Sequence, residues 1–301
     1  MPETNPHQAN SRTRLEGGPP SRLIAEVTAQ LASAGIESAR LDAETMLAAA
    51  SRSTRTAVIC GTAKIDALVR ERYAAMIARR IRREPLAYIL ARKEFYSLEL
   101  EVTLNVLIPR PETETLVHAA LEAIAQRSIL TICDLGTGSG AMALAIAANA
   151  PDAQLTATDI SAKALAIARR NAVRLGFLER VLFRRADCFE PMDGMGALGR
   201  FDLIVSNPPY IQEEQIAGLA PEISRYEPHV ALTGGPDGLS FYRKIASRVA
   251  EHLERNASLM VEIDAHQFDA VSEVIRDAGG TAIKMLRDLG GMPRAVIARF
   301  E

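Results

Sequence analysis

The tetrapeptide Asn207-Pro208-Pro209-Tyr210 combines residue types suited to holding a flat NH2 group. The side-chain oxygen of Asn207 and the carbonyl of Pro208 can accept its two N–H bonds. That would fix the plane of the group and offset positive charge developing on its nitrogen. The proline rings stiffen the backbone and remove competing donors, and Tyr210 offers an aromatic face for a planar amide or a base. An amide nitrogen is a poor nucleophile, so the chemistry calls for an activated electrophile held in line with it. The motif directly follows the apolar run "FDLIVS", at the strand end where open α/β sheets bind ligands. A bland reading exists, a proline stop after a strand, but this tetrapeptide after the fourth strand of a glycine-loop domain is rare by chance.

That glycine loop is the second constellation. "ILTICDLGTGSGAMALAIA" reads as a strand ending at Asp134, then Gly136-Thr137-Gly138-Ser139-Gly140, then a helix. Glycines allow a sharp turn and a close ligand approach, and the helix start offers free N–H groups. Asp159 ends the next strand about 20 residues on, where a carboxylate can hold ribose hydroxyls. Gly136, Gly138 and Ala141 also satisfy the dinucleotide pattern, so a nicotinamide enzyme stays a rival. Asp134 favours S-adenosylmethionine, because its carboxylate either faces the donor's ammonium group or orients the loop, and would repel a pyrophosphate. A third reading is a non-catalytic donor-binding module that acts by docking a partner.

The elements that must position these groups alternate strand and helix. Strands are expected near 130–134, 154–158, 181–185, 201–206, 257–263, 282–287 and 294–300, with helices near 113–127, 140–149, 161–175, 239–253 and 267–279. The pattern predicts a doubly wound, mostly parallel seven-stranded sheet covered on both faces. Its last two strands, joined only by "DLGGMPR", must pair as an antiparallel hairpin. Residues 1–20 read as a disordered leader. Residues 21–85 read as a small helical domain, with Leu23, Ile24, Val27 and Leu31 on one face. The alternating segment 86–108 reads as a β-ribbon linker, and 109–301 as the catalytic domain.

Bulk composition narrows the class. The 301 residues carry 48% hydrophobic and 24% charged side chains and a net charge of −2, as in an ordinary globular protein. There is no basic stripe for long nucleic acid; the densest cluster, "ARRIRREP", reads as a solvated helix end. Three scattered cysteines and five histidines without metal spacing predict no metal site and no disulfide framework. With no membrane-length apolar run and no signal peptide, a cytoplasmic protein is expected.

The chain resembles the PrmC/HemK family, the release factor glutamine N5-methyltransferases. The resemblance runs through "REPLAYIL", "LIPRPETETLV", "DLGTGSGAMALAIA", "VSNPPYI" and "RYEPHVALTGGPDGLSFYRKI". It implies a Rossmann-like class I methyltransferase fold with an N-terminal helical domain that docks the substrate. It further implies S-adenosyl-L-methionine as donor, S-adenosyl-L-homocysteine as product, and class I peptide chain release factors as partners, modified on the glutamine of Gly-Gly-Gln. Gly136 to Gly140 would hold the donor's methionine part, Asp159 its ribose, and Asp187 and Cys188 its adenine. Asn207, Pro208, Pro209 and Tyr210 would grip the glutamine, with Asn207, Pro208 and Tyr210 catalytic and Asn207 also near the donor. A monomer without stable nucleic-acid or membrane binding is expected. The alternative is an adenine N6-type methyltransferase clasping a flipped base in the same tetrapeptide. Glu112 and Glu114 read either as groups at the donor's mouth or as first-turn acids of a helix. Arg110 is a candidate for contact with the helix or with the substrate backbone, and Phe95 and Tyr96 read as core packing rather than cofactor contacts. Ala91 and Ser97 stand where the family usually has glycine, and Cys188 where an aromatic is frequent.

Overall fold

A computed structural model describes residues 18–127 and 131–301. Most of the expected leader, residues 1–17, lies outside the described residues, and Pro20 already opens a helix. The chain divides into two compact units, one ending at Leu90 and one beginning at Ala91.

The first unit is helical: α1 (Pro20–Ser33), α2 (Ala39–Ser51), α3 (Arg55–Ile59), α4 (Ala67–Ile81) and α5 (Leu86–Leu90). The stripe Leu23, Ile24, Val27 and Leu31 is buried against Met46, Leu47, Tyr73 and Ile77. The short α3 starts where the Thr54 side chain accepts from Ala57 N and is too brief to show a period. Residues 86–90, expected in the ribbon, are helical. α4 already ends at Ile81, with Arg83 at φ 68° beyond it, and Pro85 stands just before α5, where a proline loses nothing, since N–H groups at a helix entry lack intrahelical partners.

The basic cluster is not wholly solvated either. Arg79 bonds Glu84, and Arg80 Nε lies 2.7 Å from Asp42 Oδ2, the two side chains being 7% and 5% exposed. Asp42 also accepts from Ser38 Oγ at 2.8 Å. Removing one partner of a buried pair is far more harmful than the pair is helpful. Asp42→Ala is therefore expected to destabilise this unit by about 3–5 kcal/mol, read as accelerated amide exchange in α2 and α4 of the full chain.

The second unit begins with a hairpin, β1 (Arg92–Phe95) and β2 (Leu98–Glu101), and continues α6 (Glu114–Arg127), β3 (Thr131–Leu135), α7 (Ala141–Asn149), β4 (Gln154–Asp159), α8 (Ala162–Leu175), β5 (Val181–Asp187), β6 (Glu190–Pro191), β7 (Phe201–Ser206), α9 (Pro221–Ser224), α10 (Ser240–Ala246), β8 (Leu253–Glu262), α11 (Phe268–Asp277), β9 (Thr281–Arg287) and β10 (Pro293–Phe300). The hairpin's two-residue turn puts Tyr96 and Ser97 at φ 49° and 62°, the left-handed region such turns require. Ala91 sits at φ 55°. Glycine would hold these positions without the roughly 1 kcal/mol that a Cβ costs there. The hairpin is fastened to its own unit: Asn171 of α8 accepts from Glu101 N and donates to the carbonyls of Glu101 and Ser139.

All seven expected strands form one sheet, in the order β6-β5-β4-β3-β7-β8-β10-β9. Strands β5, β4, β3, β7 and β8 run parallel, and β10 is antiparallel to both neighbours. The eighth strand, β6, has two residues, too few to show alternation. The helix expected over 239–253 stops at Ala246, because Phe201 N bonds the His252 carbonyl and Leu253 pairs with Phe201 on β7. Periodicity along the chain does not see that long-range capture. One buried cluster lies between the sheet and α6, α7 and α8, another between the sheet and α10 and α11. Strand order reverses at β3, so the crevice opens at the C-terminal ends of β3 and β7.

Candidate active site

Two sequence segments meet at that crevice because β3 and β7 are paired to their last residues, Leu135 with Ser206. Ser206 Oγ donates to the Leu135 carbonyl at 2.7 Å, so Gly136 and Asn207 emerge side by side. Gly136, Gly138 and Gly140 have φ of 75°, 57° and 85°. A Cβ at Gly136 or Gly138 would project into open space, and both residues line the crevice. Gly140 does not line it; a Cβ there would come 3.1 Å from Leu144 Cδ1 and 3.2 Å from Ala168 Cβ. The third glycine lets helices close up.

Asp134 does not face the crevice. It is 0% exposed, and its Oδ2 accepts from Thr137 Oγ1 at 2.7 Å and Ala143 N at 3.2 Å. Of the two roles open to it, the geometry matches the orienting one. Asp159 does face the crevice, accepting from Gly138 N at 2.9 Å and Ser161 N at 2.8 Å, with burial raising its carboxyl. The crevice encloses a cavity of about 240 Å³ whose lining includes Gly136, Gly138, Asp159, Asp187, Cys188 and Asn207. Two carboxylates and no lysine or arginine line it. It therefore suits a cationic, ribose-bearing donor and disfavours a pyrophosphate. Asp187 pairs with Lys244. Cys188 is buried at φ 57°, its thiol pushed up to about 12 by that burial.

The tetrapeptide borders a second cavity of about 140 Å³, lined by Leu107, Arg110, Pro208, Pro209, Tyr210 and Leu232 among others. A smaller one touches Phe95, Thr113, Thr137 and Ser139. Asn207 and Leu107 line all three. Asn207 Nδ2 donates to Thr113 Oγ1 at 3.0 Å, which leaves the amide oxygen for the cavities. The segment "TGGPDG" clamps the tetrapeptide from outside. Ile211 N bonds the Leu232 carbonyl, Gly234 N bonds the Ile211 carbonyl, and Gln267 Nε2 reaches the Tyr210 carbonyl at 3.1 Å. Cβ atoms at Gly234 and Gly238 would fall 2.8 Å from Tyr210 Cα and 2.5 Å from Tyr210 O.

Arg110 Nη2 bonds the buried Glu227 at 2.7 Å. Glu114 accepts from Tyr96 N, a structural tie. Phe95 is core and also borders the small cavity. Thr113 and Glu262 do not stand out in the sequence: a threonine in a helix-entry turn and a glutamate ending a strand carry no local signal.

Burial, the largest influence on each, pushes the carboxyls of Asp134 and Glu262 up to about 7. In the unfolded chain such groups titrate near about 4. The native state therefore holds extra protons between these values, and stability present below about pH 4 is lost as pH rises through about 7. The melting temperature is expected to fall over that window, and Asp134→Asn to flatten the fall, as scanning calorimetry would read.

The doubly wound sheet, the glycine loop beneath a carboxylate-lined cavity and the Asn-Pro-Pro-Tyr corner together define a Rossmann-like class I methyltransferase. Solved structures share that fold: a methyltransferase from Pyrococcus furiosus (19% identity, TM-score 0.50, 74% of this chain and 98% of that one) and the hMettl16 catalytic domain bound to a 3'UTR hairpin (17%, 0.54, 75% and 82%). Residues 113–225 match the methyltransferase small domain, and 22–90 match the PrmC N-terminal domain. The release factor glutamine methyltransferase of Caulobacter vibrioides is 40% identical over 271 residues, 89% of this chain and 92% of that protein. That of Geobacter sulfurreducens is 40% identical over 273 residues, 90% and 93%. The chain belongs to the release factor glutamine methyltransferase family. Among the described residues no helix is long and apolar enough to cross a membrane, and no cluster of three His, Cys, Asp or Glu side chains could hold a metal.

Proposed function

We propose that this chain transfers a methyl group from S-adenosyl-L-methionine to the side-chain amide nitrogen of the Gly-Gly-Gln glutamine in class I peptide chain release factors. The observation that carries this reading is the orientation of Asn207. Its NH2 is committed to Thr113, so an acceptor oxygen meets whatever enters between the tetrapeptide and the glycine loop. An acceptor there, with the Pro208 carbonyl beside it, matches the two N–H bonds of a glutamine amide. Gly136, Thr137, Gly138 and Ser139 would hold the donor's methionine part, Asp159 its ribose, and Asp187 and Cys188 its adenine. The bound donor supplies a methyl group already activated on a sulfonium. The chain's own task is then placement: Asn207 and Pro208 hold the amide plane and offset the charge that develops on nitrogen, and Pro209 keeps the corner rigid. Tyr210 packs against the flat group. No general base is needed before transfer, because the proton leaves the nitrogen afterwards. The same reading calls for no metal in the transfer.

The test is to incubate the enzyme with S-adenosyl-L-methionine and unmodified release factor and sequence the Gly-Gly-Gln peptide by fragment mass spectrometry. One added methyl on that glutamine supports the reading. Donor binding without that methyl, or transfer to adenine in DNA or RNA instead, would overturn it.

A further inference from the structure

Asn207, Thr113 and Glu262 form a line drawn from three distant parts of the sequence: the residue after β7, the 3-10 turn Pro111–Thr113 ahead of α6, and the end of β8. Thr113 is 4% and Glu262 2% exposed. Asn207 Nδ2 donates to Thr113 Oγ1 at 3.0 Å, and the Thr113 side chain is hydrogen-bonded to Glu262. A hydroxyl has one hydrogen and a carboxylate has none to give. While Glu262 is ionised, Thr113 therefore donates to it and keeps its lone pairs for Asn207.

The line thus has a direction, from carboxylate through hydroxyl to amide, and the direction matters. The oxygen and NH2 ends of an asparagine are nearly the same size, so packing alone hardly distinguishes one flip from the other. Hydrogen bonding does. With Thr113 able only to accept, Asn207 turns NH2 inward and oxygen toward the cavities. Glu262 is otherwise an expensive residue to bury: its Oε2 has no hydrogen-bond partner, and burial rather than ion pairing dominates its environment.

We infer that Glu262 and Thr113 are positioning residues for methyl transfer, which set the flip of Asn207 so that its oxygen meets the substrate NH2. The inference rests on the proposed role of Asn207 as acceptor for the substrate amide. It implies a pH signature. A protonated Glu262 can donate to Thr113, whose hydrogen then turns toward Asn207 and favours the wrong flip. The groups facing Glu262 are Arg110 and Glu112 ahead of α6, Arg294 on β10, Tyr210 after β7 and Tyr242 on α10. Arg110 and Arg294 favour its charged form and Glu112 opposes it.

The test compares kcat on release factor, and donor affinity by calorimetry, for wild type, Thr113→Val, Thr113→Ser and Glu262→Gln. Thr113→Val keeps the shape without the hydroxyl and is expected to lower kcat about 10- to 100-fold with donor Kd unchanged. Thr113→Ser is expected to stay within about threefold of wild type. Glu262→Gln is expected to lower kcat and remove the acid limb of its pH profile. Wild-type kcat in Thr113→Val, or equal losses in the Ser and Val variants, would overturn the inference, as would an acid limb that survives Glu262→Gln. If Thr113→Val fails to fold, the Ser variant and the Glu262→Gln profile still decide. A wild-type enzyme that leaves the glutamine unmethylated sinks the underlying reading itself, a result distinct from any of these.

Discussion

Asn207→Ala is expected to lower kcat by about 10²- to 10³-fold while donor affinity changes little. That is the usual loss when a preorganised group aimed at developing charge is deleted. The substitution removes a polar side chain that, with Leu107, borders all three cavities. It leaves the glycine loop and Asp159 in place, since their mutual bonds do not involve it. Single-turnover methylation of release factor, with donor affinity measured separately, checks both halves. A variant with raised KM and unchanged kcat would mean that Asn207 contributes only uniform binding.

Gly238→Ala should be nearly as damaging without touching the substrate. The residue sits at φ 76°, and its Cβ would lie 2.5 Å from the Tyr210 carbonyl oxygen and 2.6 Å from Gln267 Nε2. The first of these neighbours is backbone, so the tetrapeptide corner itself has to move. A displacement of about 1 Å in a group that aligns reactants costs about 10²-fold in rate. Gly279→Ala is the control: its φ is 93° but nothing lies within 4 Å, so it carries the backbone strain, about 1–2 kcal/mol, without moving the corner. If both variants keep wild-type kcat, the clamp is not holding the tetrapeptide in register.

Much of this site is legible in the linear chain, and the exceptions share a cause. The glycine loop, Asp159 and the tetrapeptide announce themselves because unusual residue types follow strands at fixed offsets. Parallel strands in a buried sheet read as apolar runs whatever their neighbours. What stays hidden depends on partners distant in sequence. Asp134 faces inward because Thr137 and Ala143 hold it there. Arg80 is buried because Asp42 lies opposite. The α10 helix stops early because β7 captures residues 252–253. Thr113 and Glu262 become a pair only when the α6 entry and the end of β8 converge. The glycines of "TGGPDG" are visible as a motif, but their reason, contact with Tyr210, exists only in the folded chain.

The position of β10 bears on how the protein is made. It follows both of its partners in sequence yet lies between them, paired to β8 through Ala257–Glu262 on one side and to β9 on the other. On the ribosome, β8 must therefore wait with an unpaired edge until residues 293–300 emerge. A chain interrupted before that point exposes a long apolar strand, the kind of edge that recruits other chains. Loss of those eight residues is the extraction of an interior strand rather than the trimming of a tail.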